Sequence, residues 1–136
     1  MKRREHTYTR FLLSDHRLAV EALRHGNREW RFVERELQLC RFCRAAVEDE
    51  CHALLQCTGH PALTGLRANF LRDVYAAAPE WSQRVQTMSA YESLMTLVHS
   101  RDVTKRLARF VYDIFTVFEQ EETWVPASHY IRGHSQ

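Results

Sequence analysis

Glycine and proline are scarce in this chain, four and three in 136 residues, and the glycines at 26, 59, 65 and 133 never gather into a loop that could cradle a phosphate. A P-loop or dinucleotide fingerprint is thereby excluded. There is no low-complexity tract and no internal repeat, which argues against a linker-rich protein or a solenoid. Long apolar runs are missing as well: nothing approaches the ~20 residues of a membrane span. The basic opening is followed only by Phe11-Leu12-Leu13, too short for a secretory core, and no small-residue cleavage site follows. The expectation is an intracellular protein, cytoplasmic or nuclear and not secreted, with no membrane partner and no small-molecule substrate. An apolar content of 45% is enough to build a core in one domain.

Charge is nearly balanced overall but unevenly placed. Residues 1–44 carry 11 Lys+Arg against 6 acids, a net +5, and the remainder is −3. An excess of this kind is either a solvated helix face or the mark of an anionic partner.

All four cysteines fall within nineteen residues, "LCRFCRAAVEDECHALLQC" at 39–57, together with His52. In a reducing compartment such clustering points to metal ligation rather than to disulfides. Cys40-x2-Cys43 brings two thiolates to one point, and His52 and Cys57 supply two further corners of a tetrahedron, the preference of Zn²⁺. Glu48-Asp49-Glu50 ahead of "CHALLQ" is the charge pattern of a helix N-terminus, with Thr58-Gly59 as its stop. On a regular helix Cys57 lies roughly 140° round from His52, so the helix must loosen for Cys57 to reach the metal. Gly59 eases that turn. Cys51 forms an apolar stripe with Leu54 and Leu55 and is read as a buried hydrophobe, with a Cys₄ site using Cys51 in place of His52 as the alternative. His60 is read as a loop residue or helix cap. Three thiolates and an imidazole leave no position for a reactive water, so the metal is expected to be structural and the protein not an enzyme.

The stretches "RFLLSDHRLAVEALR", "LCRFCRAAVEDECHALLQC" and "ALTGLRANFLRDV" together resemble the region just beyond the polymerase in reverse transcriptases of non-LTR (LINE-like) retrotransposons, of the kind found in mushroom-forming fungi. The matching motif is C-x2-C, an acidic pair, then H-x-L-x-x-C: Cys40, Cys43, Glu48-Asp49, His52, Leu54 and Cys57. The resemblance covers roughly residues 10–118 and implies zinc ligation by Cys40, Cys43, His52 and Cys57. It does not bring polymerase activity, because the Asp-Asp pair that holds the catalytic metals occurs nowhere in the chain and 136 residues leave no room for fingers and palm.

The fold expected is mainly α, a small domain of about four to six helices with an embedded zinc-knuckle-like segment. Residues 1–36 read as a basic helical segment breaking near Ser14-Asp15, 37–60 as the knuckle, 61–124 as a helical bundle and 125–136 as a flexible tail, all in one structural unit. In the bundle, Leu63, Leu66, Phe70, Val74 and Ala77 recur at helical spacing after Pro61. Ser89 and Glu92 form a capping box ahead of Leu94, Leu97 and Val98. Val103, Leu107, Phe110, Ile114 and Val117 make one stripe, flanked by Val111, Phe115 and Phe118; a face this wide suits a central helix. Extended structure is expected only at "EWRFV" and as a small ribbon at "QLCRF". The functional expectation is nucleic-acid (RNA or DNA) binding through Lys2, Arg3, Arg4, Arg10, Arg41 and Arg44, with Phe42 either stacking on a base or packing beneath the metal. The alternative is a protein-interaction or dimerisation module using the helical C-terminal part, or a retroelement remnant without a selected role.

Overall fold

The structure is a computed structural model that describes residues 2–131, with side chains from Arg4 onward. It is mainly helical. Helix α1, Lys2–Leu12, stops where Ser14 takes φ 55°, with Ser14 N–H donating to the Phe11 carbonyl and Asp15 N–H to that of Arg10. This paired 5→2 and 6→1 bonding is a Schellman stop with serine in the left-handed position, at the break expected from sequence. Helix α2, Ala19–Ala22, is a single turn, and the chain loosens through the Gly26 loop.

Helix α3, Pro61–Ala77, begins with proline in its first turn, and His60 Nδ1 accepts the Ala62 N–H at 3.0 Å, so His60 is the helix cap. Leu63, Phe70 and Val74 are buried, Leu66 is half-buried and Ala77 lies exposed at the end. A short helix that periodicity did not announce, α4 at Glu80–Arg84, follows Pro79 and buries Trp81. Helix α5, Ala90–Val98, has both halves of its Ser89/Glu92 capping box. Helix α6, Thr104–Glu119, is the centre: Leu107, Phe110, Val111, Ile114, Phe115, Val117 and Phe118 are all buried, each contributing about 1.5–3 kcal/mol. It packs against α1, α3 and α5. Phe110 stacks on Phe70 with centroids 4.3 Å apart, and Phe115 meets Phe11 edge-on at 6.1 Å. One apolar cluster joins Tyr8 and Phe11 of α1, Cys40, Leu54 and Cys57 of the cysteine segment, and the bundle helices, so the described residues share a core.

Among the described residues, β pairing is confined to two bridges. Leu39 pairs antiparallel with Val47, with Cys40 N–H donating to the Ala46 carbonyl, which is the small ribbon expected at the knuckle. Trp30 pairs with Tyr130, and Arg31 and Ile131 bond across to His129 and Glu29. The expectation of a flexible tail fails here: residues 125–131 add an extended segment to 29–31 and close a second small core of Ala19, Leu23, Val33 and Val125. Residues 132–136 lie outside the described residues.

Candidate metal centre

The ribbon and one irregular helical turn bring the candidate ligands together. Asp49 opens that turn as a cap, its Oδ1 accepting the His52 N–H at 2.8 Å and its carbonyl accepting from Ala53. From His52 to Gln56 the backbone is a π-helix, and Cys57 N–H reaches the His52 carbonyl five residues back at 2.8 Å. A five-residue hydrogen-bonded turn sets residue i+5 back over residue i, where a regular helix would swing it away. This is the loosening that the His52 to Cys57 spacing demanded. Arg67 of α3 steadies the turn by donating from Nε to the Leu54 carbonyl at 2.8 Å.

The ligand atoms of Cys40, Cys43, His52 and Cys57 all lie within 4.8 Å of one another, an arrangement compatible with a metal ion. Cys40 Sγ is 3.7 Å from Cys57 Sγ, and Cys43 Sγ is 3.2 Å from His52 Nε2. All four cysteines are free thiols, and Cys51 stands outside the set, half-buried against the core, as its apolar stripe implied. Each ligand sulfur is met by backbone N–H groups: those of Cys43 and Phe42 at Cys40, that of Ala45 at Cys43 (3.4 Å) and that of Gly59 at Cys57 (3.4 Å). Such donors favour thiolate over thiol. Against them, burial pushes the Cys40 thiol up to about 12 and also raises Cys57, so without a cation both stay protonated at neutral pH. Burial lowers the His52 pKa, more than the charges of Asp49 and Glu48 raise it, which keeps the imidazole neutral and able to ligate.

Gly59 serves close approach rather than turn conformation. A Cβ there would lie 2.8 Å from the Cys43 nitrogen and 2.9 Å from the Phe42 carbonyl carbon, both backbone. Gly59→Ala is therefore expected to push the Cys57 turn off the Cys40–Cys43 loop at an overpacking cost of about 1–3 kcal/mol, weakening metal affinity about 10- to 100-fold. Competition with a colorimetric chelator checks this; unchanged affinity would mean that the two turns are not in contact.

The three acids ahead of His52 have separate tasks. Asp49 caps the turn. Glu50 Oε2 accepts from His16 Nε2 at 2.7 Å, a bond that is the main cause of its lowered pKa. His16, Glu21 and Glu50 also gather closely, but His16 Nδ1 accepts the Leu18 N–H, so Nε2 keeps its proton and has no lone pair for a cation. The buried His16 is thus a hydrogen-bonded staple from the segment ahead of α2 to Glu50.

Glu48 is fully buried, and its partner is Arg41. Arg41 was expected to face phosphate and instead is 7% exposed with every guanidinium donor engaged: Nε on Glu48 Oε2, Nη1 on the Phe118 and Glu121 carbonyls, and Nη2 on Glu48 Oε1 and the Arg17 carbonyl. Glu48 in turn accepts the backbone N–H groups of Ala19 and Arg41. The cysteine loop is thus bolted to the start of α2 and the end of α6. Phe42 is half-buried edge-on to Phe118 (4.8 Å) and His60 (5.1 Å), so packing is its role. Arg44 is exposed at the tip with φ 52°, its guanidinium 5.9 Å from the Trp124 ring. Arg10 Nε donates to the Asp15 carbonyl at 3.1 Å and closes the end of α1, and Arg4 is half-buried on α1. The side chains of Lys2 and Arg3 lie outside the described residues. Compared with known protein families, curated proteins and solved structures, the chain matches none.

Proposed function

We propose that Cys40, Cys43, His52 and Cys57 hold one Zn²⁺ as a structural centre, and that the helical module it staples binds nucleic acid without catalysing a reaction. The observation that carries the metal assignment is the convergence of the four ligand atoms within 4.8 Å, each sulfur backed by backbone N–H groups. A tetrahedral site with Zn–S near 2.3 Å and Zn–N near 2.0 Å has S···S edges of about 3.8 Å and S···N edges of about 3.5 Å. The 3.7 Å between Cys40 and Cys57 fits the first, and the 3.2 Å between Cys43 and His52 is somewhat tighter than the second. Bound there, the ion supplies charge and cross-linking; the donor set leaves it no open position. Descent from the C-terminal region of a non-LTR reverse transcriptase is part of this proposal and rests on the cysteine-histidine motif.

Protein purified without chelator is expected to carry about one zinc per chain, lost together with part of the helicity in Cys43→Ser. A folded, helical protein without zinc would sink the metal assignment. Failure of the zinc-loaded chain to retard a labelled single-stranded RNA at low salt would sink the nucleic-acid assignment.

A protein-interaction or dimerisation role is favoured by one observation, the exposure of Leu13 (73%), Phe32 (55%) and Leu12 (49%). Light scattering decides it, since a strictly monomeric chain argues against dimerisation.

A further inference from the structure

The sequence places the basic excess in the first third, and the fold engages much of it internally: Arg10 with Asp15, Arg24 with Glu21, Arg35 with Asp49 and Arg41 with Glu48. A second concentration lies in the part that looked acidic. Residues 99–112 hold Arg101, Lys105, Arg106 and Arg109 against Asp102, a net +3, whereas 113–122 hold Asp113, Glu119, Glu121 and Glu122, a net −4. Helix α6 is therefore polarised along its length, cations first. That order opposes the helix dipole, which favours acids at the start and cations at the end. At the acidic end Arg41 compensates by donating to the Phe118 and Glu121 carbonyls. At the basic end the first turn contains no acid and no side-chain cap. The start of α6 thus carries cations where its dipole disfavours them.

Two of them, Arg106 and Arg109, border a groove. Between α3 and α6 lies a cleft of about 440 Å³ walled by Arg72 and Asn69 from one helix and Arg106 and Arg109 from the other. Arg72 and Arg106 are exposed, and their side chains make no hydrogen bond or ion pair with any described residue. Asp73 and Asp113 also line the cleft, and Asp113 lies 3.9 Å from Arg109. The cleft itself is lined by three arginines against two aspartates.

We propose that this α3–α6 groove is the surface that takes the phosphodiester backbone of single-stranded nucleic acid, a proposal that rests on the nucleic-acid reading above and gives it a location. Guanidinium groups on both walls can grip successive phosphates, and all three lining cations are arginines, the side chain whose fork matches a phosphate. The stacked Phe70 and Phe110 rings are buried in the floor, so the strand is held by its backbone and sequence preference should be weak.

The test is fluorescence anisotropy of a labelled 20-nucleotide oligouridylate with the zinc-loaded full chain across a salt series. Arg72→Gln/Arg106→Gln/Arg109→Gln changes only exposed side chains, and its fold is checked by circular dichroism. It should bind at least tenfold more weakly, with a log–log salt slope reduced by about 2, the release from three phosphates. The charge-matched control Arg24→Gln/Arg28→Gln/Arg84→Gln should bind within twofold of the parent. No binding by the parent overturns the nucleic-acid reading and the groove with it. Binding by the parent that the groove variant retains overturns the groove alone. Displacement of the RNA by polyglutamate as readily as by unlabelled RNA overturns the phosphate assignment in favour of an acidic protein partner.

Discussion

Chelation of the zinc-loaded protein at neutral pH should lower its urea midpoint by more than any single core truncation. Structural zinc sites of this type bind with apparent free energies of about 10–16 kcal/mol, against a total stability of about 5–15 kcal/mol for a domain. The loss should be local first. Amides from Leu39 to Gly59 should lose hydrogen-exchange protection, because the ribbon, the π-turn and the Cys57 turn have the ligands as their common anchor. The docked 125–131 segment should follow, since the Arg41–Glu48 pair ties the cysteine loop to the end of α6 just ahead of it. The pH dependence has a definite sign. Cys40 is raised to about 12 and Cys57 is also raised, so metal uptake expels at least these two protons. Zinc affinity should then fall about 100-fold for each unit of acidification. His52 adds to the loss in the same direction: its folded pKa lies below the ordinary value, so its contribution is present above pH ~6.5 and disappears as the ring protonates on acidification. Titration of the competition constant between pH 6 and 8 measures this. A slope below one proton per metal would mean that Cys40 and Cys57 are not both ligands.

What the sequence disclosed was local or periodic. The buried stripes of α3, α5 and α6 follow from 3.6-residue spacing, and the clustering of Cys40, Cys43, His52 and Cys57 from short-range spacing that also called for a loosened helical turn. What it hid was nonlocal. The partner of Glu29–Arg31 lies about a hundred residues away at His129–Ile131, so the extended character of "EWRFV" was visible but the segment that pairs with it was not. Glu48, Asp49 and Glu50 look equivalent in a row, yet the ribbon turns one into the core, one to the helix cap and one toward His16. Which acid is buried depends on ribbon register, and the fate of Arg41 depends on that acid. Helix α4 was missed because five residues are too few to show a period. Arg44 occupies a left-handed position where glycine would be unstrained, and nothing in its neighbours signals it.

Glu48→Gln should destabilise the protein by about 3–5 kcal/mol, the cost of leaving a buried charge without its counter-charge. The pair is 2.6 Å apart, with the side chains 4% and 0% exposed. In the variant the Arg41 guanidinium keeps its three carbonyl acceptors but loses the only anion within reach among the described residues. Arg41→Met should cost a similar amount by the opposite route, leaving the carboxylate to the backbone N–H groups of residues 19 and 41 and taking a donor from the Glu121 and Arg17 carbonyls. The double variant should lose less than the sum of the two, with a coupling of about 2–3 kcal/mol, because neither uncompensated charge remains. It should not return to the parent value, because Arg41 also caps the end of α6. Urea unfolding of the four proteins with zinc in excess supplies the cycle. Single-variant losses below about 0.5 kcal/mol are what an exposed residue gives, and they would put Arg41 back on the surface, available to phosphate. Large and coupled losses would instead mean that the arginine inside the Cys40–Cys43 loop ties metal occupancy to the seating of α2 and the C-terminal segment.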